Sequence, residues 1–435
     1  MALTVTAVEQ FQDRMRGFER RNFILIVLDG SLFAFAISFL SEATIIPAFV
    51  QTLTGSAALV GLVGATYALG RYLPQLVGAH LTFGRARRKP ALFWIVVAER
   101  IGILAIALTA QAIGFWHSGL VVVLFFLAFG AYAVTTGLIG PVYGDFLAKA
   151  LPRSRGWYYG MSQLLGGVLG FASALTAERL LSEWAFPIGN QIAFWLCFGL
   201  SFLSIPLVAA LRDEAYPDVE PRRSFLVTLR RIPGLVGGDP AYRRFLGVRA
   251  ILATATAGMG LVVVHGLAEG FLGIPDAAIV AAVFILAQAT GGFLLSLLGN
   301  YRGWKSVVVM GGLLLTLSMA GAVVAQDLFG IALVYAALGA ANAATIIGDP
   351  NVSIELAPPS RTSLYLGTTS TLLAPFFVFG PLVGGAVAGS AGYPIVFVAA
   401  GIIAMIGFIL ALFLPEPRKL RRDEARLVGQ PGTTL

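Results

Sequence analysis

Long apolar runs separated by short polar connections fill almost all of this 435-residue chain. A hydropathy window of about 19 residues picks out twelve runs long enough to cross a bilayer as helices. Six lie at Phe23–Phe49, Ala57–Phe83, Ala91–Ile113, Leu120–Val142, Trp157–Leu180 and Ile192–Leu211. Six more lie at Phe245–His265, Ala277–Leu298, Val307–Ala325, Leu328–Ile347, Leu364–Ala388 and Tyr393–Leu414. The narrowest separation is between the ninth and tenth, where only Gln326 and Asp327 interrupt the apolar run. One longer polar stretch, residues 212–244, holds Pro217, Pro221, Pro233 and Pro240 and divides the runs into two groups of six. Within it, the mixed apolar and basic residues from Ser224 to Pro233 predict either a short helix on the inner membrane surface or a plain tether.

The two groups echo each other. After the fourth run comes Asp145-Phe-Leu-Ala-Lys-Ala-Leu-Pro-Arg-Ser-Arg155-Gly156, and after the tenth comes Asn351-Val-Ser-Ile-Glu355-Leu-Ala-Pro-Pro-Ser-Arg361. Pro152 and Arg155 fall in step with Pro358 and Arg361. A membrane chain built from two similar halves is the architecture of a secondary transporter.

Charge sets the orientation. Alternate connections hold 26 of the 30 lysines and arginines, the intervening connections hold only Arg179, and Arg71, Arg100 and Arg249 lie within the runs. This is the positive-inside pattern, which predicts an even span number and both termini in the cytoplasm. The expected organisation is a cytoplasmic tail over residues 1–22, six-helix bundles over 23–211 and 245–414 joined by the 212–244 linker, and a cytoplasmic tail over 415–435, in the plasma membrane. The same pattern accounts for the net charge of +8 without a nucleic-acid partner.

Composition narrows the class further. Of the residues 57% are hydrophobic and 12% charged, against about 25% charged in a soluble domain. The single cysteine, Cys197, permits no disulfide within the chain, and no metal site can be built on it. His80, His117 and His265 are far apart in sequence. Neither a Gly-Lys-Ser/Thr phosphate loop nor a Gly-x-Ser-x-Gly or His-Glu-x-x-His motif occurs. No cofactor, no direct ATP coupling and no enzymatic activity are expected.

Twelve spans, a central linker and paired basic loops after the second and eighth spans resemble the major facilitator superfamily. Its signature is a Gly, three residues, Asp-Arg, one residue, then Gly and basic residues. After the second span this chain has Gly78-Ala-His80-Leu-Thr82-Phe-Gly84-Arg85-Ala-Arg87-Arg88-Lys89-Pro90, with the basic cluster but without the acid. After the eighth, Gly303 and Lys305 match and Asn300 replaces the acid. Asp145 is a candidate substitute carboxylate for Arg85 or Arg155. Pro152-x-x-Arg155-Gly156-x-x-x-Gly160 is also similar to the family's loop between spans 4 and 5. The resemblance implies an all-α integral membrane protein, twelve transmembrane helices in two six-helix pseudo-repeats, with spans 1, 4, 7 and 10 lining a mid-membrane cavity.

Charges inside a bilayer cost at least about 2.5–3.5 kcal/mol each at its centre and need partners or water. Asp29 lies roughly 10 Å into the first span, Glu99 and Arg100 roughly 14 Å into the third, and Arg71 roughly 18 Å from the inner end of the second. Two acids and two bases at overlapping depth form either a proton site, with Asp29 the coupling carboxylate, or a fixed network pinning three helices; loss of Arg71 should then orphan a buried acid. Glu42 is either an outer gate residue or an exposed outer-edge carboxylate. Arg249 either pairs with Asp349 or Glu355 as a cytoplasmic latch or snorkels. Further cytoplasmic gate candidates are Arg85, Arg88, Lys89, Asp145, Arg155, Asn300, Gly303, Lys305 and Arg361. Cavity candidates are Tyr67, Tyr132, Thr135, Gln163, Gln288, Tyr335, Asn342 and Thr345, each also able simply to join helices by hydrogen bonds.

The expected function is secondary active transport of a small organic solute by alternating access. The proton is the expected coupling ion, as antiporter or symporter, with export of a lipophilic compound slightly preferred because the second half has few deep charges. Uptake of a sugar or organic anion, a non-transporting receptor and a lipid scramblase remain open alternatives.

Overall fold

In the computed structural model the apolar runs become helices, and among the described residues the only β pairing is an isolated bridge between Ile113 and Trp116. The structure describes residues 2–42, 45–217, 219, 221, 224–272 and 274–419. Parts of the expected linker (218, 220, 222 and 223) and residues 420–435 of the expected C-terminal tail lie outside the described residues. Among the described residues eleven helical stretches are long and apolar enough to span a bilayer.

The first helices run α1 Ala2–Ile37, α2 Ile45–Thr54, α3 Ala57–Tyr72, α4 Gln75–Thr82, α5 Lys89–Gln111, α6 Ser118–Ala150, α7 Arg155–Glu183, α8 Ile188–Phe202 and α9 Ile205–Ala210. The expected polar tail is helical and continuous with the first span, which in turn is interrupted near Ser41 before α2. The expected second span is broken into α3 and α4, each too short to cross lipid alone. Pro74 is the cause: it has no N–H to donate to the carbonyl of Gly70, one turn earlier. That carbonyl lies against Gly137 of α6 instead.

The chain divides into two units. The first comprises Met1–Ser154, Val168–Phe225 and Ser360–Gly367. Here α6 is the central element, packed by α3, α4 and α5, while α8 packs on α5 and α1. Glycines allow the close crossing: a Cβ on Gly70 would lie 2.5 Å from the Ala133 Cβ, and one on Gly137 would lie 2.7 Å from the Arg71 carbonyl. Gly137→Val is therefore expected to cost about 1–3 kcal/mol through overpacking. Thermal melting of the purified protein checks this against Gly140→Ala, where a Cβ meets nothing within 4 Å.

Later helices are α10 Phe225–Gly238, α11 Pro240–Ala255, α12 Leu261–Ala268, α13 Ile274–Arg302, α14 Trp304–Val324, α15 Leu328–Leu356, α16 Thr362–Ala391 and α17 Tyr393–Leu412. The second unit comprises Arg155–Gly167, Leu226–Pro359 and Thr368–Leu435. Its core is α15 against α13 and α14, with α17 packed on α14 and α11. The narrow gap between the ninth and tenth runs is a real boundary, because Asp327 caps α15 by accepting a hydrogen bond from the Gly330 amide at 2.7 Å. The opening turns of α7 group with this unit, where Gly160 faces Ser296 and Gln163 lies over Gly292. The opening of α16 groups with the first unit, where Gly367 lies on Leu76 and Ala79.

Candidate functional site

An intramembrane polar cluster forms where α1, α5, α6 and α9's start converge in the first unit. Glu99 and Arg100, adjacent on α5 and both buried, form an ion pair. Thr136 of α6 donates to Glu99 at 2.9 Å. Arg100 also donates to the Ser201 carbonyl at 3.2 Å and the Ser204 hydroxyl at 2.9 Å, and stacks on Phe33 at 4.4 Å. Each of its three nitrogens thus donates a hydrogen bond, which offsets the burial of the charge. Asp29 of α1 is 7% exposed and lies beside Ser204, within electrostatic reach of Arg100 and Glu99. One of its carboxylate oxygens, Oδ1, is buried without a hydrogen-bond partner.

Arg71 stands at the margin of the expected four-charge group, within electrostatic reach of Glu99 but with no direct ion pair to it. Its side chain is exposed, it donates to the Tyr67 hydroxyl at 3.0 Å and its guanidinium sits 5.9 Å from that ring. Glu99 already has Arg100, so loss of Arg71 orphans no buried acid. Glu42 is half-buried and acts on Tyr67 and Arg71 rather than standing free at an outer edge.

A second cluster closes the end of the first unit where the basic loops lie. Arg88 and Asp145 are both wholly buried and pair at 2.7 Å. The carboxylate of Asp145 therefore serves Arg88 and not Arg85 or Arg155. The amides of Arg88 and Lys89, which open α5, donate to Asp213 at 2.8 and 2.9 Å, and Lys149 pairs with the same carboxylate at 2.5 Å. Lys89 reaches the Ala209 carbonyl at 2.5 Å. Tyr216 lies between two cations, 5.0 Å from Arg88 and 4.4 Å from Lys149. Burial, with Asp145 and Asp213 nearby, pushes its hydroxyl above the ordinary tyrosine range. The first helix joins in: Asn22 exchanges hydrogen bonds with Arg212 at 3.0 and 2.9 Å, and Glu19 accepts from the Arg153 and Ser154 amides at 2.8 and 2.7 Å. Asp213, Lys149, Tyr216 and Glu19 escaped the sequence reading. The available signal was the acidic pair Asp213-Glu214 directly after the sixth run.

In the second unit the start of α7 meets the end of α15. Arg155 donates to Asn351 at 2.6 Å and lies 3.5 Å from Glu355. Glu355 also accepts from Arg418 at 3.0 Å, and Arg418 donates to the Asn300 carbonyl at 2.8 Å. Gly303, at φ 94°, makes the turn into α14 and packs against Glu416, which Lys305 reaches electrostatically. Arg361 closes the short turn before α16. Arg249 of α11 pairs with Asp349 of α15 at 2.5 Å and donates to Thr345 at 3.2 Å; Glu355 has other partners. Asp349→Asn is expected to cost about 1.5–3 kcal/mol, the worth of a hydrogen bond to a charged group. Thermal melting checks this, and exchanging the charges (Arg249→Asp with Asp349→Arg) should recover part of the loss.

The cavity candidates mostly serve packing. Tyr132 is buried among Phe125, Phe129 and Ile103, so it is a core residue. Thr135 bonds the Tyr132 carbonyl of its own helix at 2.8 Å. Asn342 donates to Gln288 at 2.9 Å, and Tyr335 to the Met259 carbonyl at 3.0 Å. Gln163 covers Gly292. Among the described residues no three His, Cys, Asp or Glu side chains gather as a metal site.

Residues 246–433 match the model of the Major Facilitator Superfamily. The human organic anion transporter MFSD10 superposes with a TM-score of 0.71 at 14% identity, over 90% of this chain and 99% of that one. The proton:xylose symporter XylE, bound to 6-bromo-6-deoxy-D-glucose, superposes at 0.69 with 13% identity, over 93% and 99%. The transporter FucP, in its outward conformation, gives 0.67 at 14% identity, over 90% and 98%. The fold is that of the major facilitator superfamily. No curated protein matches the sequence. With that fold and its long apolar helices the chain is a multi-pass membrane protein.

Proposed function

We propose that this major facilitator protein is a proton-coupled secondary transporter of a small organic solute, with Asp29 as the coupling carboxylate. The observation that carries the reading is the charge count around Asp29. Glu99 and Arg100 neutralise each other, so an ionised Asp29 leaves one net negative charge in a buried site. A proton on Asp29 removes that charge; an approaching cation does the same. Arg71, hydrogen-bonded to the neutral Tyr67 and acted on by Glu42, is the cation proposed to approach. Proton binding and Arg71 approach then compete, which gives the carboxylate a reason to load in one state and unload in another.

The solute is small and weakly polar. In the second unit Gln288, Asn342 and Tyr335 use their polar groups on one another or on backbone, which leaves apolar walls suited to a lipophilic ligand. Export is the preferred direction, across the plasma membrane with both termini cytoplasmic. A second reading, an organic anion held by Arg71, draws support from the exposure of that side chain. A ligand screen by thermal shift, followed by flux in reconstituted vesicles, tests both. An imposed pH gradient should drive accumulation of the hit; flux indifferent to the gradient leaves a uniporter. Arg71→Gln should weaken gradient-driven accumulation of any solute but abolish counterflow at equal pH only for an anionic one.

A further inference from the structure

We infer that α10, in the linker between the two span groups, lies in the headgroup layer of the bilayer and binds anionic lipid. The placement follows from chain connectivity. Only Asp239 separates α10 from α11, which begins a spanning stretch at Pro240. Asp239 caps α11 by accepting from the Tyr242 amide at 2.9 Å, and Arg243 of α11 reaches back to the Gly237 carbonyl of α10 at 2.9 Å. The end of α10 is therefore tied to the point where a membrane helix meets water.

The surface of α10 fits that boundary. Leu226, Leu229 and Pro233 share one face by helical spacing, and all three are exposed, Leu226 at 65%. Thr228 is the buried residue of the opposite side. Arg230 borders the apolar face, and Arg231, Arg243 and Arg244 are exposed nearby. No acid occurs from Ser224 to Gly238, and Asp239 is engaged in capping. An apolar face beside uncompensated arginines matches the acyl–headgroup boundary of an anionic leaflet. Water would solvate the arginines but leave the leucines exposed to solvent, and a neutral protein partner would leave the arginines without counter-charge. This inference does not depend on the transport reading.

The test uses the full chain in vesicles of phosphatidylcholine alone or with one quarter phosphatidylglycerol. A bimane on Leu226→Cys, in a Cys197→Ala background, reports its surroundings. Nitroxide-bearing lipid should quench it at least twofold more than iodide does, and more strongly with phosphatidylglycerol. Arg230→Gln with Arg231→Gln should remove the difference between the two vesicle types. Amide exchange over residues 225–238 in the unsubstituted protein, slower with phosphatidylglycerol, gives the same answer if the labelled variant fails to fold. Iodide quenching that exceeds lipid quenching in both vesicles, or exchange unaffected by lipid charge, would overturn the proposal and leave α10 a solvated tether.

Discussion

Arg88→Ala is expected to destabilise the protein by about 3–5 kcal/mol, because it strands the carboxylate of Asp145 in a site with no exposure. The pair sits at 2.7 Å, and Arg88 also donates to the Thr82 carbonyl at 2.5 Å and covers the Tyr216 ring. Removing it breaks the joint between the loop after α4, the end of α6 and the start of the linker at once. Arg88→Lys keeps the charge but not the fork and should fall between. The double variant Arg88→Ala with Asp145→Ala should lose less than the sum of the singles, because neither leaves the other charged and alone. Denaturant or thermal titration of the purified protein measures all three. A loss under about 1 kcal/mol for Arg88→Ala would mean that water reaches the pair and that it behaves as a surface bridge.

Asp29→Asn should abolish gradient-driven accumulation while leaving solute exchange intact. Asparagine keeps the shape and can still face Ser204, but it cannot take up or release a proton. Stability should hold or rise, since the substitution removes the surplus negative charge beside a pair that is already neutral. Glu99→Gln is the contrast: it removes the carboxylate in direct contact with Arg100 and should destabilise. The measurement is solute uptake with and without an imposed pH gradient, beside counterflow at equal pH. Proton-driven accumulation of normal size in Asp29→Asn would reject the assignment of Asp29. Loss of counterflow as well would assign it to the solute site instead.

Much of the fold was legible because lipid imposes one strict rule. Every backbone polar group must be satisfied within a segment, so long apolar runs can only become helices. The boundary at Gln326 and Asp327 was readable, since Asp327 is a good cap beside an apolar run. The break of the second run was not read, although Pro74 stood in it. Prolines also lie inside α6, α15 and α16, at Pro141, Pro350 and Pro381, without dividing them. What separates Pro74 from these is the crossing of α3 over Gly137, a contact remote in sequence. Depth along a span can be counted from its end, but the face on which a side chain stands depends on where the helix bends.

Among charged groups, adjacency was informative and distance was not. Glu99 and Arg100 pair as neighbours, and Arg249 found Asp349, one of the two acids expected for it. The partner of Asp145 was wrong because three arginines and a lysine crowd one loop, and their spacing does not say which one turns inward. Asp213 was missed because an acid in a polar linker looks solvated until the linker is seen to fold back beneath α5.

From its sequence alone this chain declared the span positions, the alternation of basic connections, the recurrence of one loop motif and the few charges that lipid would have to tolerate. These depend on local hydropathy and on bilayer thickness, which act on each segment independently of the rest. Which arginine serves which carboxylate, which oxygen of Asp29 stays without a partner, and which span breaks were decided by tertiary packing. Those outcomes turn on ångström-scale contacts between segments far apart in sequence, where a single missing amide hydrogen or a bare glycine changes what can touch.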